Sequence, residues 1–177
     1  KTSTLPKFCK KINSIDEINN YFTANLTNKY NRVRIIGDIH GCYTALQQAI
    51  TPWDEKTLYI FCGDYLERGI ENKEMMYEMM RLSTLPNTIM LEGNHERHIA
   101  NFAFHTNLDR SKRFMKDVVA PIVKDMTKKE VESLQRELRL FYKSLRQCYP
   151  FSFHGKKYLV SHGGLSYVCL LYTSPSP

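Results

Sequence analysis

The chain has 177 residues, 42% of them hydrophobic and 24% charged, enough for one domain with a sizeable core and too apolar for wholesale disorder. Its formal net charge is +7, and nearly all of the excess lies between Arg110 and Arg146, where 11 basic residues stand against 5 acidic ones. No uncharged apolar run approaches the roughly 18–20 residues of a membrane span, and the stretch Lys1 to Lys10 lacks the apolar centre of a signal peptide.

Ser14-Ile15-Asp16-Glu17 reads as a capping box opening a helix with Ile18, Tyr21 and Phe22 at helical spacing, so residues 1–31 are expected to form a helical lead-in. Arg32 to Ile36 is a short β-branched run ending at Gly37, a strand entering a loop. Thr44 to Ile50 suits a helix that Pro52 stops. Thr57 to Phe61 is a second strand, ending just before a Gly-Asp pair. Asn72 to Leu82 is a helix whose Met75, Met76, Met79 and Met80 form a stripe expected to pack into the core. Asn87 to Leu91 is a third strand, and Glu96 to Phe104 a helix after it.

From Asp109 to Gln147 the pattern is helical and basic. Thr127-Lys128-Lys129-Glu130 is a second capping box, and Val131, Leu134, Leu138, Phe141 and Leu145 share one helical face. That stripe must face the protein, which leaves many of the Lys and Arg residues on a solvated face. Phe151 to Phe153 and Tyr158 to Val160 read as a hairpin about His154-Gly155-Lys156. Strands alternating with helices give an α/β architecture.

The ends of the chain stand apart. Residue 1 is Lys, and Cys169 to Pro177 resembles the in-frame translation of a transposase adapter, so residues 169–177 are expected to be an adapter-derived tail and are set aside. The expected catalytic domain is 32–168, incomplete at its C-terminal end. The five cysteines (Cys9, Cys42, Cys62, Cys148 and Cys169) are scattered without a CxxC pair, which favours a reduced, cytoplasmic protein.

Three strands each run into a glycine-led loop bearing ligand-type side chains: Gly37-Asp38-Ile39-His40-Gly41, Gly63-Asp64-Tyr65-Leu66-Glu67-Arg68-Gly69 and Gly93-Asn94-His95-Glu96. The hairpin supplies a fourth, Ser161-His162-Gly163-Gly164-Leu165. Carboxylate, imidazole and amide, with no thiolate among them, suit Mn²⁺, Fe or Zn²⁺. Each piece alone is weak, and His95-Glu96-Arg97-His98 lacks the spacing of a helical zinc-protease motif. The ordered set of four is far more specific.

That series, GDIHG, GDYLERG, GNHE and SHGGL, resembles the calcineurin-like metallophosphoesterase superfamily, in its phosphoprotein-phosphatase branch, from about Arg32 to Ser166. The resemblance implies a β-sandwich flanked by helices and a two-metal phosphoesterase site. By motif, Asp38 and His40 would bind the first metal, Asp64 would bridge both, and Asn94 and His162 would bind the second. His95 would be the general acid, Glu67 would orient it, and Arg68 would hold phosphate oxygens together with Asn94 and His95. The chemistry is coherent. Two cations roughly 3.5–4 Å apart neutralise an anionic ester and lower the pKa of a bridging water. The departing alkoxide needs a proton, and a guanidinium matches phosphate with a bidentate fork.

Two departures from the family pattern stand out. Glu67 occupies a place where Asp is usual, adding one methylene. The family also takes a further His for its second metal from a strand well beyond the SHGGL loop; His98, His105 and His154 sit in no matching motif. A Ser/Thr (or Tyr) protein phosphatase acting on phosphorylated protein is the leading reading. A nucleic-acid or nucleotide phosphatase of the polynucleotide kinase-phosphatase type is the alternative, with segment 110–146 as the nucleic-acid contact. A diadenosine-tetraphosphate hydrolase ranks lower, because that branch ends its third motif in Asp rather than Glu96. A non-catalytic scaffold keeping the fold is the last.

Overall fold

The computed structural model describes residue 22 and residues 24–163. The expected helix at Ser14 and the 169–177 tail lie outside them. Of the lead-in, Asn25 makes a β-bridge with Ser152 and residues 27–29 form a turn.

Three parallel strands form the central sheet in the order β1 (Arg32–Ile36), β2 (Thr57–Phe61), β3 (Thr88–Met90). The register runs Arg32 opposite Thr57 to Ile36 opposite Phe61, and Tyr59 opposite Thr88 to Phe61 opposite Met90. Helices α1 (Tyr43–Ile50) and α2 (Asn72–Ser83) make the two crossovers that parallel pairing requires. β3 ends at Met90; Leu91 still donates to Phe61 O (2.8 Å), and on its other side the chain is bridged by Arg146. Arg146 donates its N–H to Met90 O (3.0 Å), and Glu92 donates to Arg146 O (2.8 Å).

Alternation along β2 divides the molecule into two cores. Tyr59 and Phe61 face the helices with Met75, Met76, Met79 and Leu82, so the methionine stripe is core, with Met80 half-buried against it. Leu58 and Ile60 face the other way, onto Leu91, Phe151 and Val160. The last two belong to the antiparallel hairpin β4 (Cys148–Phe153) and β5 (Lys156–Ser161), the second layer of the sandwich. Its strands are longer than the sequence pattern suggests. His154 and Gly155 both have positive φ, as a two-residue turn matching strand twist requires.

The basic region is not one helix. After α3 (Glu96–Phe104), residues 108–123 pass through a 3₁₀ turn, a short α turn and a π-helical turn over Met115–Val119. A full capping box then starts α4 (Lys128–Ser144) at Thr127. α4 ends three residues before the expected Gln147, because Leu145 is extended (ψ 143°) and hands Arg146 to the sheet. Gln135 and Arg139 of α4 donate to Phe102 O (3.2 Å) and Ala103 O (2.6 Å), satisfying carbonyls at the end of α3. No helix among the described residues is long and apolar enough to cross a membrane.

Candidate active site

Parallel pairing sends the C-terminal ends of β1, β2 and β3 to one edge, where the three glycine-led loops emerge together. Antiparallel β5 arrives at the same edge, so His162 follows Ser161 into the cluster. The loops touch backbone to backbone. A Cβ on Gly63, whose φ is +104°, would lie 2.4 Å from Gly93 N, and one on Gly93 would lie 2.3 Å from Asp64 Oδ1. His40, Asp64, Glu67 and Arg68 themselves have φ between 45° and 73°, backbone strain of the kind that gathers at functional sites.

Buried Asp64 lies at the centre. Its Oδ2 is 3.6 Å from His40 Nε2 and 3.9 Å from His95 Nε2, while its Oδ1 is 3.6 Å from His162 Nε2. Asp38 spans the outer side, with Oδ2 3.9 Å from His40 Nε2 and Oδ1 3.8 Å from His162 Nδ1. Asn94 Oδ1 is 2.9 Å from His162 Nε2. The two imidazoles are oriented alike. His40 directs Nδ1 to Leu66 O (3.1 Å) and His162 directs Nδ1 to Cys62 O (2.9 Å). Each N–H spent on a carbonyl leaves an Nε2 lone pair for the centre, the usual arrangement behind a metal-bound imidazole. His40 Nε2 is buried and has no hydrogen-bond partner, and donor atoms of Asp38, His40 and Asp64 lie within 4.8 Å of one another. An orphaned basic nitrogen among carboxylates fits a divalent cation, and Asp64 has one oxygen towards each imidazole, as a shared ligand would need.

The rim carries the second set. His95 Nδ1 is hydrogen-bonded to Glu67 Oε2, so the longer acid reaches the ring. Arg68 Nη2 lies 3.4 Å from His95 Nε2. Asn72 Oδ1 accepts from Glu67 N (2.8 Å) and its Nδ2 donates to Gly69 O (2.7 Å), holding the loop in its left-handed turn. Glu67, Arg68, Gly69, Asn72 and His95 line a cleft of about 440 Å³, to which Arg113, Asp117 and Val118 also contribute.

Asp38, His40, Asp64, Asn94, His95, His162, Glu67 and Arg68 therefore all come together, drawn from positions up to 124 residues apart. Of the other histidines, His98 lies beside Glu67 and His95 but bonds Ser111 Oγ through Nδ1 (2.8 Å), and burial holds its pKa down. His105 pairs with Gln135 and His154 packs on Phe153, away from the centre.

Glu96 is the residue whose importance the sequence hides. It is fully buried, and its carboxylate accepts backbone N–H groups from Asp64 (2.8 Å), Tyr65 (3.0 Å) and Gly93 (2.6 Å). Burial pushes its carboxyl up to about 7, with those three donors pulling the other way. An acid in a first helical turn ordinarily reads as a solvent-facing complement to the helix dipole. Here it ties the second loop to the third, and its place closing GNHE was the available signal.

A family model for the calcineurin-like phosphoesterases matches residues 31–176. The chain belongs to this metallophosphoesterase family. It is 38% identical over 80 residues, 44% of its length, to serine/threonine-protein phosphatase 2 of Salmonella typhimurium, of which it covers 34%. It is 32% identical over 136 residues, 74% of its length, to a symmetrical bis(5'-nucleosyl)-tetraphosphatase of Baumannia cicadellinicola, of which it covers 41%. A solved Saccharomyces cerevisiae protein serine/threonine phosphatase aligns over 76% of this chain and 38% of its own, at 23% identity and TM-score 0.48. The chain thus spans less than half the length of these relatives.

Proposed function

We propose that this protein is a divalent-metal-dependent phosphomonoesterase whose substrate is a phosphorylated serine or threonine side chain. The observation that carries the reading is Asp64, central between His40 on one side and His162 on the other, with His95 beside it at the mouth of the cleft. Asp38, His40 and Asp64 would hold one cation, and Asp64, Asn94 and His162 the other; Mn²⁺ is the first choice for this oxygen-and-nitrogen set, with Fe or Zn²⁺ as competitors. Such a pair, when bound, offsets phosphate charge and activates water. Arg68 binds phosphate oxygens at the rim. His95 gives its Nε2 proton to the departing serine oxygen, and Glu67 fixes the ring for that transfer by accepting from Nδ1.

A nucleotide substrate is the second reading, supported by the tetraphosphatase relative, whose match covers more of this chain than the phosphatase one. The test uses purified protein with Mn²⁺. p-Nitrophenyl phosphate turnover should vanish with chelator and return with metal, and undiminished turnover after chelation would refute the mechanism. Side-by-side kcat/KM on a phosphoserine peptide, a 3'-phosphorylated oligonucleotide and diadenosine tetraphosphate then decides the substrate. Tenfold preference for either nucleotide substrate would overturn the phosphoprotein choice. A folded protein that binds no metal and turns over none of them would be a scaffold.

A further inference from the structure

Part of the cleft's lining, Arg113, Asp117 and Val118, comes from the basic region and not from the motif loops. The cleft's volume of about 440 Å³ lies in the range that holds a whole small ligand rather than a bare phosphate. Four charged residues line it. Glu67 is engaged by His95 Nδ1, and Asp117 by Arg113, whose Nε is 3.4 Å from Asp117 Oδ2. The cleft's two guanidinium groups are Arg68, from the second motif loop, and Arg113, from the basic region, the latter paired among the described residues only with Asp117 at the surface.

Arg113 does not hang on a loose loop. Two residues before it, buried Ser111 bonds His98 Nδ1 and Asn101 Nδ2, both at 2.8 Å. Next to it, Phe114 is buried and stacks on His98 with centroids 5.8 Å apart. Beyond it, the π-helical turn sinks Val118 and Val119 into the core. Turns of this kind concentrate at functional positions. The rest of the basic excess includes residues with internal work: Arg139 caps α3, and Arg146 extends the sheet.

We propose that Arg113 is a second anion contact of this cleft, binding a negative group carried by the substrate next to the phosphate that Arg68 holds. The inference rests on the phosphatase reading above and adds a selectivity for doubly anionic substrates. The side chains of Arg113 and Asp117 are 88% and 52% exposed, so their pairing is an easily exchanged surface ion pair. A substrate anion offering a bidentate face to the guanidinium is the better partner. Asp117 then acts as a competitor that keeps Arg113 from singly charged ligands. The second anion could be a carboxylate beside a phosphorylated residue or a second phosphate.

The experiment measures equilibrium binding of fluorescein-labelled peptides to the 177-residue protein with Mn²⁺ present, each phosphoserine being made as its non-hydrolysable phosphonate analogue so that the protein cannot consume it. Three peptides are compared: phosphoserine flanked by Ala, phosphoserine flanked by Glu, and two adjacent phosphoserines. Wild type should bind one or both doubly anionic peptides about tenfold more tightly than the Ala peptide, and whichever gains identifies the anion. Arg113→Ala should bring that ratio to within about twofold of one, and Asp117→Asn should raise it. An unchanged ratio in Arg113→Ala, a fall in Asp117→Asn, or no binding of any peptide to wild type would overturn the proposal. p-Nitrophenyl phosphate turnover of wild type is followed in parallel. Its absence alongside an Arg113-dependent ratio would sink the phosphatase reading and leave the anion contact standing.

Discussion

Replacing Glu96 by Ala tests the claim that one buried carboxylate holds two site loops together. The side chain accepts three backbone N–H groups, those of Asp64, Tyr65 and Gly93. Each buried donor left unsatisfied costs about 1–3 kcal/mol, so three would cost about 3–9 if nothing relaxed. Water entering the space offsets part of this, and the expected loss is about 3 kcal/mol or more. Against a total stability of about 5–15 kcal/mol, that is a large fraction. Glu96→Gln keeps the volume and one carbonyl acceptor, and it resembles the protonated acid that burial favours up to about pH 7. Its cost should be less than half that of Ala. Urea denaturation of the metal-free protein at pH 7, followed by far-UV circular dichroism, measures both. A loss under about 1 kcal/mol for Glu96→Ala, or equal losses for the two variants, would refute the assigned role.

Three further outcomes are expected. His95→Asn should lower turnover roughly 10²–10⁴-fold while metal content, read by atomic absorption, stays at the wild-type level; Asp64→Asn should lose metal, and the reverse pattern would break the division of roles. Gly93→Ala drives a Cβ towards Asp64 Oδ1 and Asp64 N, so both metal affinity and the thermal midpoint should fall, which isothermal titration and calorimetry would register. Glu78 sits under Arg81 and Gln47, and hydrogen bonding from Arg81 holds its carboxyl below the usual value of 4.5 despite burial. Because the folded-state value is depressed, its contribution is present above pH 4.5 and lost as pH falls through the folded value. The gap between wild type and Glu78→Gln, about 1 kcal/mol at pH 7, should therefore shrink progressively in denaturation curves taken at pH values falling below 4.5.

Much of the molecule is local chemistry and was legible in the sequence. The strand Arg32–Ile36 ends where Gly37 begins and Thr57–Phe61 ends one residue before Gly63, and the capping box at Thr127 opens α4, because turn and cap preferences act over three or four residues. The motif order placed Asp38, His40, Asp64, Asn94, His95 and His162 in loops, and loops at strand ends gather when the strands run parallel. What needed the tertiary structure was every relation between distant segments. Arg146 leaves the helical pattern because Met90 O, at the end of the third strand, and Glu92 N, just past it, bond its N–H and its carbonyl, partners no sequence window contains. Glu96 looks like an ordinary acid in a first helical turn until two loops deliver three N–H groups to it across 3 to 32 residues. Arg113 looks like one more cation on a solvated face. Only the packing of Ser111 and Phe114 against His98, and of the π-helical turn into the core, brings it to the lining of the cleft that Arg68 shares, because charge is written in the sequence but its place is set by what the backbone beneath it is packed against.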